Sequence, residues 1–167
     1  TILVVYATKH GATKEIAEKI GQVLEDAGLQ VDIEPVKEVG YLAPYRAVVL
    51  GSASYYGRWR GEAVKFLQDH AGELAGRPVW LFMSGPGGEG DPVKLVDGRT
   101  IPGKLKPAVE QIKPRDIAVF HGDVRPEKFG PFERWIIKTV KSPVGDFRDW
   151  DMITTWAQGI AAELNKE

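Results

Sequence analysis

The sequence predicts an α/β protein in which helices cover both faces of a doubly wound parallel sheet. Short runs of apolar, β-branched residues, such as 2–6 and 79–83, are typical of strands that are buried on both faces. Segments with apolar residues at helical spacing follow these runs, and the alternation continues along the chain. Because crossovers between parallel strands are right-handed, this order allows little besides a doubly wound sheet.

The first half of the chain predicts three strands and two helices. Residues 2–6 form the first strand, and the helix after it has apolar residues at helical spacing over 16–27 and stops at Gly28. Residues 29–33 alternate apolar and polar side chains, which indicates a strand with one wetter face near a sheet edge. The third strand covers 47–51, and a helix follows over 63–74.

The second half predicts two more strands. Residues 79–83 form the fourth strand, and a loop rich in glycine and proline extends from it to Pro102. A short helix over 104–112 leads to the fifth strand at 117–120, and a last helix covers 153–164 with Asp149 or Asp151 as its N-cap. The 167 residues contain no repeat and no linker, so we expect one domain over 1–167.

Composition excludes several classes of function. The chain has no cysteine, which removes thiolate nucleophiles, disulfide exchange and cysteine-held iron–sulfur clusters, so any redox chemistry must come from a cofactor. A net charge of −1 argues against a nucleic-acid-binding surface, and the three histidines lack the paired spacing of a metal site. We find no spanning segment and no secretory signal, so we expect the cytoplasm.

The loop after the first strand, residues 8–13, is a candidate anion site. It is rich in hydroxyl groups and leads directly into a helix, where unpaired backbone N–H groups and the helix dipole attract a phosphate. Thr8 and Thr13 can add side-chain donors. An ordinary strand-to-helix turn with a threonine cap is the alternative. The loop lacks both the G-x-G-x-x-G pattern and the Gly-Lys-Ser/Thr of a P-loop, which disfavours dinucleotide and ATP sites.

The loops after the third and fourth strands can line a flat ring. Residues 52–60 place Tyr55, Tyr56 and Trp59 at a strand end, and Gly57 allows close approach of a ligand. We expect at least one of the three rings to fold inward. Residues 84–88 offer backbone N–H groups with little side-chain bulk. In an open parallel sheet ligands bind beyond the carboxyl ends of the strands, so the three loops together predict a site for a flat heteroaromatic that carries one phosphate.

With these three loops in this order, the chain resembles the flavodoxin superfamily across essentially its whole length. Thr8, Gly11 and Thr13 match the Thr/Ser-x-Thr-Gly-x-Thr phosphate loop of that family, and His10 stands where a hydroxyl is usual. The resemblance implies a flavodoxin-like three-layer sandwich, a five-stranded parallel sheet of order 2-1-3-4-5, and FMN as cofactor. The candidate cofactor-binding residues are Thr8, Lys9, His10, Gly11, Ala12, Thr13, Ser52, Ala53, Ser54, Tyr55, Tyr56, Gly57, Trp59, Ser84, Gly85, Pro86, Gly87 and Gly88.

One branch of the superfamily is more similar. Residues 122–126, 132–138 and 149–156 are similar in order and spacing to the flavodoxin-type, menaquinone-dependent protoporphyrinogen oxidases and their relatives. The resemblance implies an FMN-dependent oxidoreductase linked to a quinone or to protoporphyrinogen. An electron carrier that serves redox partner proteins without turning over a substrate stays an alternative, and a cofactor-free binding or signalling module is a third. In that branch an added loop is associated with the substrate, and residues 86–102 correspond to it here.

Two further expectations concern charge and surface. Four cationic or titratable residues lie in or beside the site loops: Lys9, His10, Arg58 and Arg60. Their positive charge should favour a reduced, anionic flavin, so we expect a milder redox potential than that of an electron carrier with an acidic site. His121 ends the fifth strand and can approach the flavin rim. Residues 131–141 predict an amphipathic helix that packs on the sheet or on a partner subunit in a homodimer, or that lies on an anionic membrane. Its apolar residues are Phe132, Trp135, Ile136 and Val140, opposite Arg134, Lys138 and Lys141.

Overall fold

The computed structural model describes residues 1–55, 58–86, 90–95, 100–139 and 144–167. Its strands are β1 (Ile2–Ala7), β2 (Val31–Pro35), β3 (Ala47–Tyr55), β4 (Arg58–Trp59), β5 (Val79–Ser84) and β6 (Asp116–Phe120). Its helices are α1 (Ala12–Asp26), α2 (Gly61–Asp69), α3 (Ala71–Leu74), α4 (Pro92–Leu95), α5 (Lys106–Ile112), α6 (Pro131–Thr139) and α7 (Trp150–Asn165), with 3-10 turns at Val36–Glu38, Gly103–Leu105 and Pro126–Lys128.

The main sheet is parallel and has the order β2-β1-β3-β5-β6, which confirms the flavodoxin-like arrangement. In the register, Ile2 lies opposite Val31 on one side and Ala47 on the other. All side chains of β1 and β5 are buried, as expected for strands covered on both faces. β2 is the edge strand that its alternating pattern indicated, and it lies two residues later than expected.

The hydrophobic core forms two layers, one on each face of the sheet. Successive residues of β1 point to opposite faces, so Leu3 and Val5 pack with α2, α3 and α5, whereas Val4 and Tyr6 pack with α1 and α7. The helix layers complete the three-layer sandwich. Over the described residues, no helix is both long and apolar enough to cross a membrane.

The structure differs from the expected elements at three places. The helix predicted over 63–74 is broken at His70, whose backbone (φ −109°, ψ 12°) leaves the helical region. Ser54 lies opposite Trp59 and Tyr55 lies opposite Arg58, which makes β4 an antiparallel extension of β3. The loop predicted to reach Pro102 contains the single helical turn α4, where Asp91 accepts a hydrogen bond from the N–H of Val93 at 3.0 Å.

Candidate functional site

A cavity of about 520 Å³ opens at the carboxyl ends of β1, β3, β5 and β6. This volume is in the range of small-molecule and cofactor sites, and the position is where a doubly wound sheet binds ligands. The cavity is lined by Thr8, Lys9, Ala12, Thr13, Ala53, Ser54, Arg60, Ser84, Gly85, Pro86, Gly122, Asp123, Val124, Phe129, Phe132, Glu133, Ile136 and Ile137. The three loops singled out in the sequence therefore meet at one site.

The first loop ends in an open helix terminus. Gly11 has φ +92°, a left-handed conformation that glycine adopts without strain, and it is the N-cap of α1. Because Gly11 has no side chain, the N-cap residue makes no capping hydrogen bond, and the first backbone N–H groups of α1 can donate to an anion. Thr8 Oγ1 accepts a hydrogen bond from the N–H of Gly11 at 3.0 Å and holds the loop in this shape.

The three loops are packed directly against one another. Thr13 Oγ1 and Ser84 Oγ lie 2.9 Å apart, both buried, and join the first loop to the third. A Cβ added at Gly85 would lie 2.4 Å from the backbone oxygen of Ser54, so only glycine allows this approach between the second and third loops. The N–H of Gly122 donates to the oxygen of Pro86 at 3.0 Å and adds the segment after β6.

Four candidate residues lie beside the cavity without lining it. Ser52 is buried, its Oγ donates to the oxygen of Ala53 at 2.8 Å and accepts from the N–H of Arg60 at 3.0 Å, so it shapes the second loop. Trp59 is 5% exposed and lies in the hydrophobic core, and it is the aromatic residue that folds inward. His10 and Gly11 belong to the first loop but are not part of the lining. His10 contacts Glu133, and the N–H of Gly11 donates to Thr8. Tyr56, Gly57, Gly87, Gly88 and the side chain of Tyr55 lie outside the described residues.

The sequence did not identify the outer wall of the cavity. Phe129, Glu133, Ile136 and Ile137 cover the site from α6 and the turn before it, and Gly122 to Val124 line its floor. The apolar residues of α6 do not form one packed stripe. Ile136 and Ile137 line the cavity, Phe132 also lines it although it is 71% exposed, and Trp135 is 62% exposed and lies outside the lining. Val140 and Lys141 of the predicted helix lie outside the described residues. The available signal was the unusual length of chain between β6 and α7, which starts at the same sheet edge as the other loops.

α6 contacts the first loop through one carboxylate. Glu133 Oε2 lies 2.8 Å from His10 Nε2, and Glu133 Oε1 lies 3.3 Å from Lys9 Nζ. The ring of Phe129 packs edge-on against the His10 ring, with 4.7 Å between centroids. Burial raises the pKa of Glu133, but the contacts with His10 and Lys9 outweigh it and hold that pKa below its usual value. The residue that departs from the family motif, His10, thus connects the loop to α6.

The expected positive charge at the site is largely compensated. Lys9 and His10 face Glu133, and Arg60 Nε lies 3.3 Å from Glu62 Oε1. Arg58 is exposed on β4, away from the cavity lining. Arg60 remains the cavity-lining cation of the second loop, so we expect the effect on the flavin potential to depend chiefly on it.

A cluster of charges lies beneath the cavity floor. The Asp123 carboxylate is fully buried and contacts Arg125 Nη2 at 2.6 Å, Lys128 Nζ at 3.0 Å and Arg148 Nη2 at 3.4 Å. Burial raises the pKa of Asp123, but hydrogen bonds from Arg125 and Lys128 reverse this and hold the pKa well below its usual range. Asp146 joins the cluster through Arg148, at 2.8 Å.

His121 takes a structural position. It is buried, and its Nε2 lies 2.8 Å from the oxygen of Gly90, which requires a proton on Nε2 because a carbonyl only accepts. The ring therefore holds the end of the glycine-rich loop and is not part of the cavity lining. Within the described ranges, no three His, Asp or Glu side chains are grouped as metal ligands.

The residues present fit FMN. The open N-terminus of α1 and the hydroxyls of Thr8 and Thr13 supply the donors that a phosphate monoester needs without a buried arginine. The glycine-lined floor at Gly85 and Gly122 and the apolar wall of Phe129, Ile136 and Ile137 can take a flat ring system.

Comparisons with known proteins identify the family and the fold. The model of the family "Flavodoxin domain" matches residues 3–151. Protoporphyrinogen IX dehydrogenase (quinone) of Escherichia coli strain K12 is 25% identical over 185 aligned residues, which cover 98% of this chain and 96% of that protein.

The solved structures show the same fold. A flavodoxin from the domain Archaea superposes with a TM-score of 0.62 at 16% identity and covers 98% of both chains. Oxidised flavodoxin 2 from Bacillus cereus has a TM-score of 0.58 at 22% identity and covers 98% of this chain and 99% of that one. The chain belongs to the flavodoxin domain family, and FMN is the cofactor that this membership implies.

Proposed function

We propose that this protein is an FMN-dependent oxidoreductase that takes electrons from a protoporphyrinogen-type substrate and passes them to a quinone. The observation that carries the proposal is the match to protoporphyrinogen IX dehydrogenase (quinone) over 98% of this chain and 96% of that protein. A match of this extent includes the α6 region as well as the flavodoxin core. FMN, when bound, supplies a centre that accepts an electron pair and releases electrons singly or in pairs.

The lining of the cavity supports a substrate with a large apolar body. The cavity has an apolar wall, formed by Phe129, Ile136 and Ile137. This wall faces the three loops that are the candidate cofactor site. A porphyrinogen carries carboxylate side chains, and Arg60 lines the cavity with a guanidinium that can pair with one of them. Both features are consistent with a substrate that lies between α6 and the flavin.

The test combines cofactor identification with turnover. The protein is purified with added FMN, the bound chromophore is released by acid and identified, and oxidation of protoporphyrinogen is then followed without oxygen, with a quinone as acceptor. Quinone-dependent formation of protoporphyrin is the expected result. Bound FMN without turnover of protoporphyrinogen or quinone would overturn the enzymatic proposal in favour of an electron carrier, and absence of any bound flavin would overturn both.

We further propose that the outer face of α6 contacts an anionic membrane from the cytoplasmic side, where a lipophilic quinone is reached. The rings of Phe132 and Trp135 stack on each other at 6.2 Å and are 71% and 62% exposed. Arg134 and Lys138 are exposed on the same helix. Exposed aromatic rings beside cations are typical of helices that lie in a bilayer interface.

Vesicle co-sedimentation at low salt tests this surface. The wild-type protein should bind vesicles that contain anionic lipid, and the double variant Phe132→Ser, Trp135→Ser should not. Tyr41→Ser is the matched control, because Tyr41 is 84% exposed on a different part of the surface. Failure of the wild type to bind at low salt removes the membrane proposal, and concentration-dependent dimerisation that the double variant abolishes would assign the same residues to a homodimer.

A further inference from the structure

Helix α6, which covers the cavity, lies in a chain segment between β6 and α7. We call the described residues of this segment, 125–139 and 144, the arm. The arm begins and ends at a short antiparallel ribbon, in which the N–H of Val124 donates to Gly145 at 2.6 Å and the N–H of Gly145 donates to Val124 at 3.2 Å. The N–H of Phe147 donates to the oxygen of Gly122 at 3.1 Å and continues the ribbon. The two ends of the arm are therefore fixed to each other at the edge of the cavity floor.

The base of the arm is also fixed by charge. Asp123 contacts Arg125 and Lys128 on the arm and Arg148 beyond it. Lys128 and Arg148 add ion pairs to Glu15 of α1, at 3.5 and 3.2 Å. This cluster holds the base and does not involve α6 itself, so it leaves open what holds the helix over the cavity.

In the part of the chain that the structure describes, Glu133 contacts the first loop from α6. Its two carboxylate oxygens face His10 and Lys9, and its side chain is 28% exposed. The contact with His10 is the more shielded of the two, because the His10 side chain is 18% exposed and the Lys9 side chain 45%, and a shielded charge-assisted contact is stronger than a surface ion pair. Because Lys9 and His10 lie in the loop that leads into the N-terminus of α1, the pair closes α6 directly over the phosphate side of the cavity.

We propose that Glu133 is a positioning residue that keeps α6 closed over the cofactor cavity, so that FMN enters and leaves only when the contact with Lys9 and His10 opens. The inference rests on FMN occupying this cavity and not on the identity of the substrate. It also explains His10, because an imidazole at this position reaches α6, as a threonine hydroxyl would not. Phosphate binding is then left to Thr8, Thr13 and the backbone of α1.

Glu133→Gln tests the proposal by two independent measurements. In the FMN-free protein, hydrogen exchange of the amides of residues 131–139 should become faster while exchange of the sheet is unchanged. In stopped-flow binding of FMN, the association and dissociation rate constants should both rise, by about tenfold, with little change in their ratio. Glu127→Gln is the matched control, because Glu127 is exposed on the same arm and lies outside the cavity lining.

Three results would overturn the proposal. Unchanged exchange of residues 131–139 in Glu133→Gln would show that the carboxylate does not hold α6. Unchanged rate constants for FMN would show that closure does not limit exchange of the cofactor. Slower dissociation with tighter binding would show that Glu133 acts by repelling the phosphate. His10→Asn provides a second variant, which should loosen residues 131–139 as Glu133→Gln does and add nothing in the double variant. The exchange measurement needs no FMN and so stands even if the proposed function fails.

Discussion

Thr13 Oγ1 and Ser84 Oγ lie 2.9 Å apart, although the residues are 71 positions apart in the chain. Thr13 lies in the first turn of α1, at the end of the first loop, and Ser84 ends β5 where the glycine-rich loop starts. Both side chains are buried, with exposures of 1% and 3%. This hydrogen bond fixes the position of the first loop relative to the third loop at the wall of the cavity.

Thr13→Val should weaken both the fold and FMN binding. Valine keeps the shape of threonine but leaves the buried Ser84 hydroxyl without this partner, which costs about 1 to 2 kcal/mol of the free energy of unfolding. It also removes a candidate phosphate donor, so the Kd for FMN should rise about tenfold. Urea unfolding and FMN titration measure the two effects. Thr155→Val on the exposed side of α7 is the control, and a loss of stability with unchanged Kd would restrict Thr13 to the fold.

Gly85→Ala should be destabilising although alanine is small. The new Cβ would lie 2.4 Å from the backbone oxygen of Ser54, and backbone at this point can move only with the strands that carry it. Overpacking of this kind costs about 1 to 3 kcal/mol. Gly159→Ala is the matched control. A Cβ added at Gly159, within α7, would meet no atom of another part of the structure within 4 Å, so this variant should be more stable by about 0.5 to 1 kcal/mol. A neutral Gly85→Ala would show that the two loops separate freely.

Asp149→Ala should cost about 1 kcal/mol, because Asp149 Oδ1 accepts a hydrogen bond from the N–H of Met152 at 3.0 Å and caps α7. The sequence left Asp149 and Asp151 open as N-caps, and the structure assigns the role to Asp149. Asp151→Ala should cost only about 0.3 to 1 kcal/mol, through the helix dipole. Urea unfolding of both variants measures the difference, and equal losses would contradict the assignment.

The acid stability of the protein should depend on Asp123. Its pKa is lower in the folded protein than in the unfolded chain, so its stabilisation is complete above the unfolded pKa of about 3.9 and is lost as the pH falls below that value. Asp123→Asn should therefore be roughly 2 to 4 kcal/mol less stable than wild type near neutral pH, with a difference that shrinks below about pH 4. Urea unfolding across this range measures the difference, with Glu110→Gln, exposed on α5, as control. A difference that is independent of pH would contradict an ionic role.

The fold could be predicted because each buried strand is a local signal. The runs 2–6 and 79–83 are apolar at every position, alternation identifies β2, and helical spacing identifies α1 and α7. The short elements β4 and α4 carry no such periodic signal. A helix break at a single residue leaves no such signal in the spacing of apolar residues. The apolar spacing continues through His70, and the backbone changes there without altering which side chains face the core.

The candidate site could be predicted only where the topology of the sheet brings loops together. Thr13 follows β1 and Ser84 ends β5, so the parallel sheet brings them to the same edge. Glu133 and His10 are 123 positions apart, and neither helical spacing nor a motif relates them. Spacing also could not tell that Trp135 faces away from the cavity while Ile136 and Ile137 line it, because the apolar side of a helix does not specify what it contacts.

Arg60→Gln should lower the redox potential of the bound flavin. Arg60 lines the cavity, and a nearby positive charge favours the anionic reduced flavin, so its removal should disfavour reduction. Glu62 offsets part of this charge, so we expect a shift of roughly 30 mV, which for a two-electron couple corresponds to about 1.4 kcal/mol. Arg58→Gln removes the same charge from an exposed position on β4, outside the cavity lining, and should shift the potential much less. Potentiometric titration of the two variants measures the difference, and equal shifts would mean that overall charge, and not the position of Arg60, tunes the flavin.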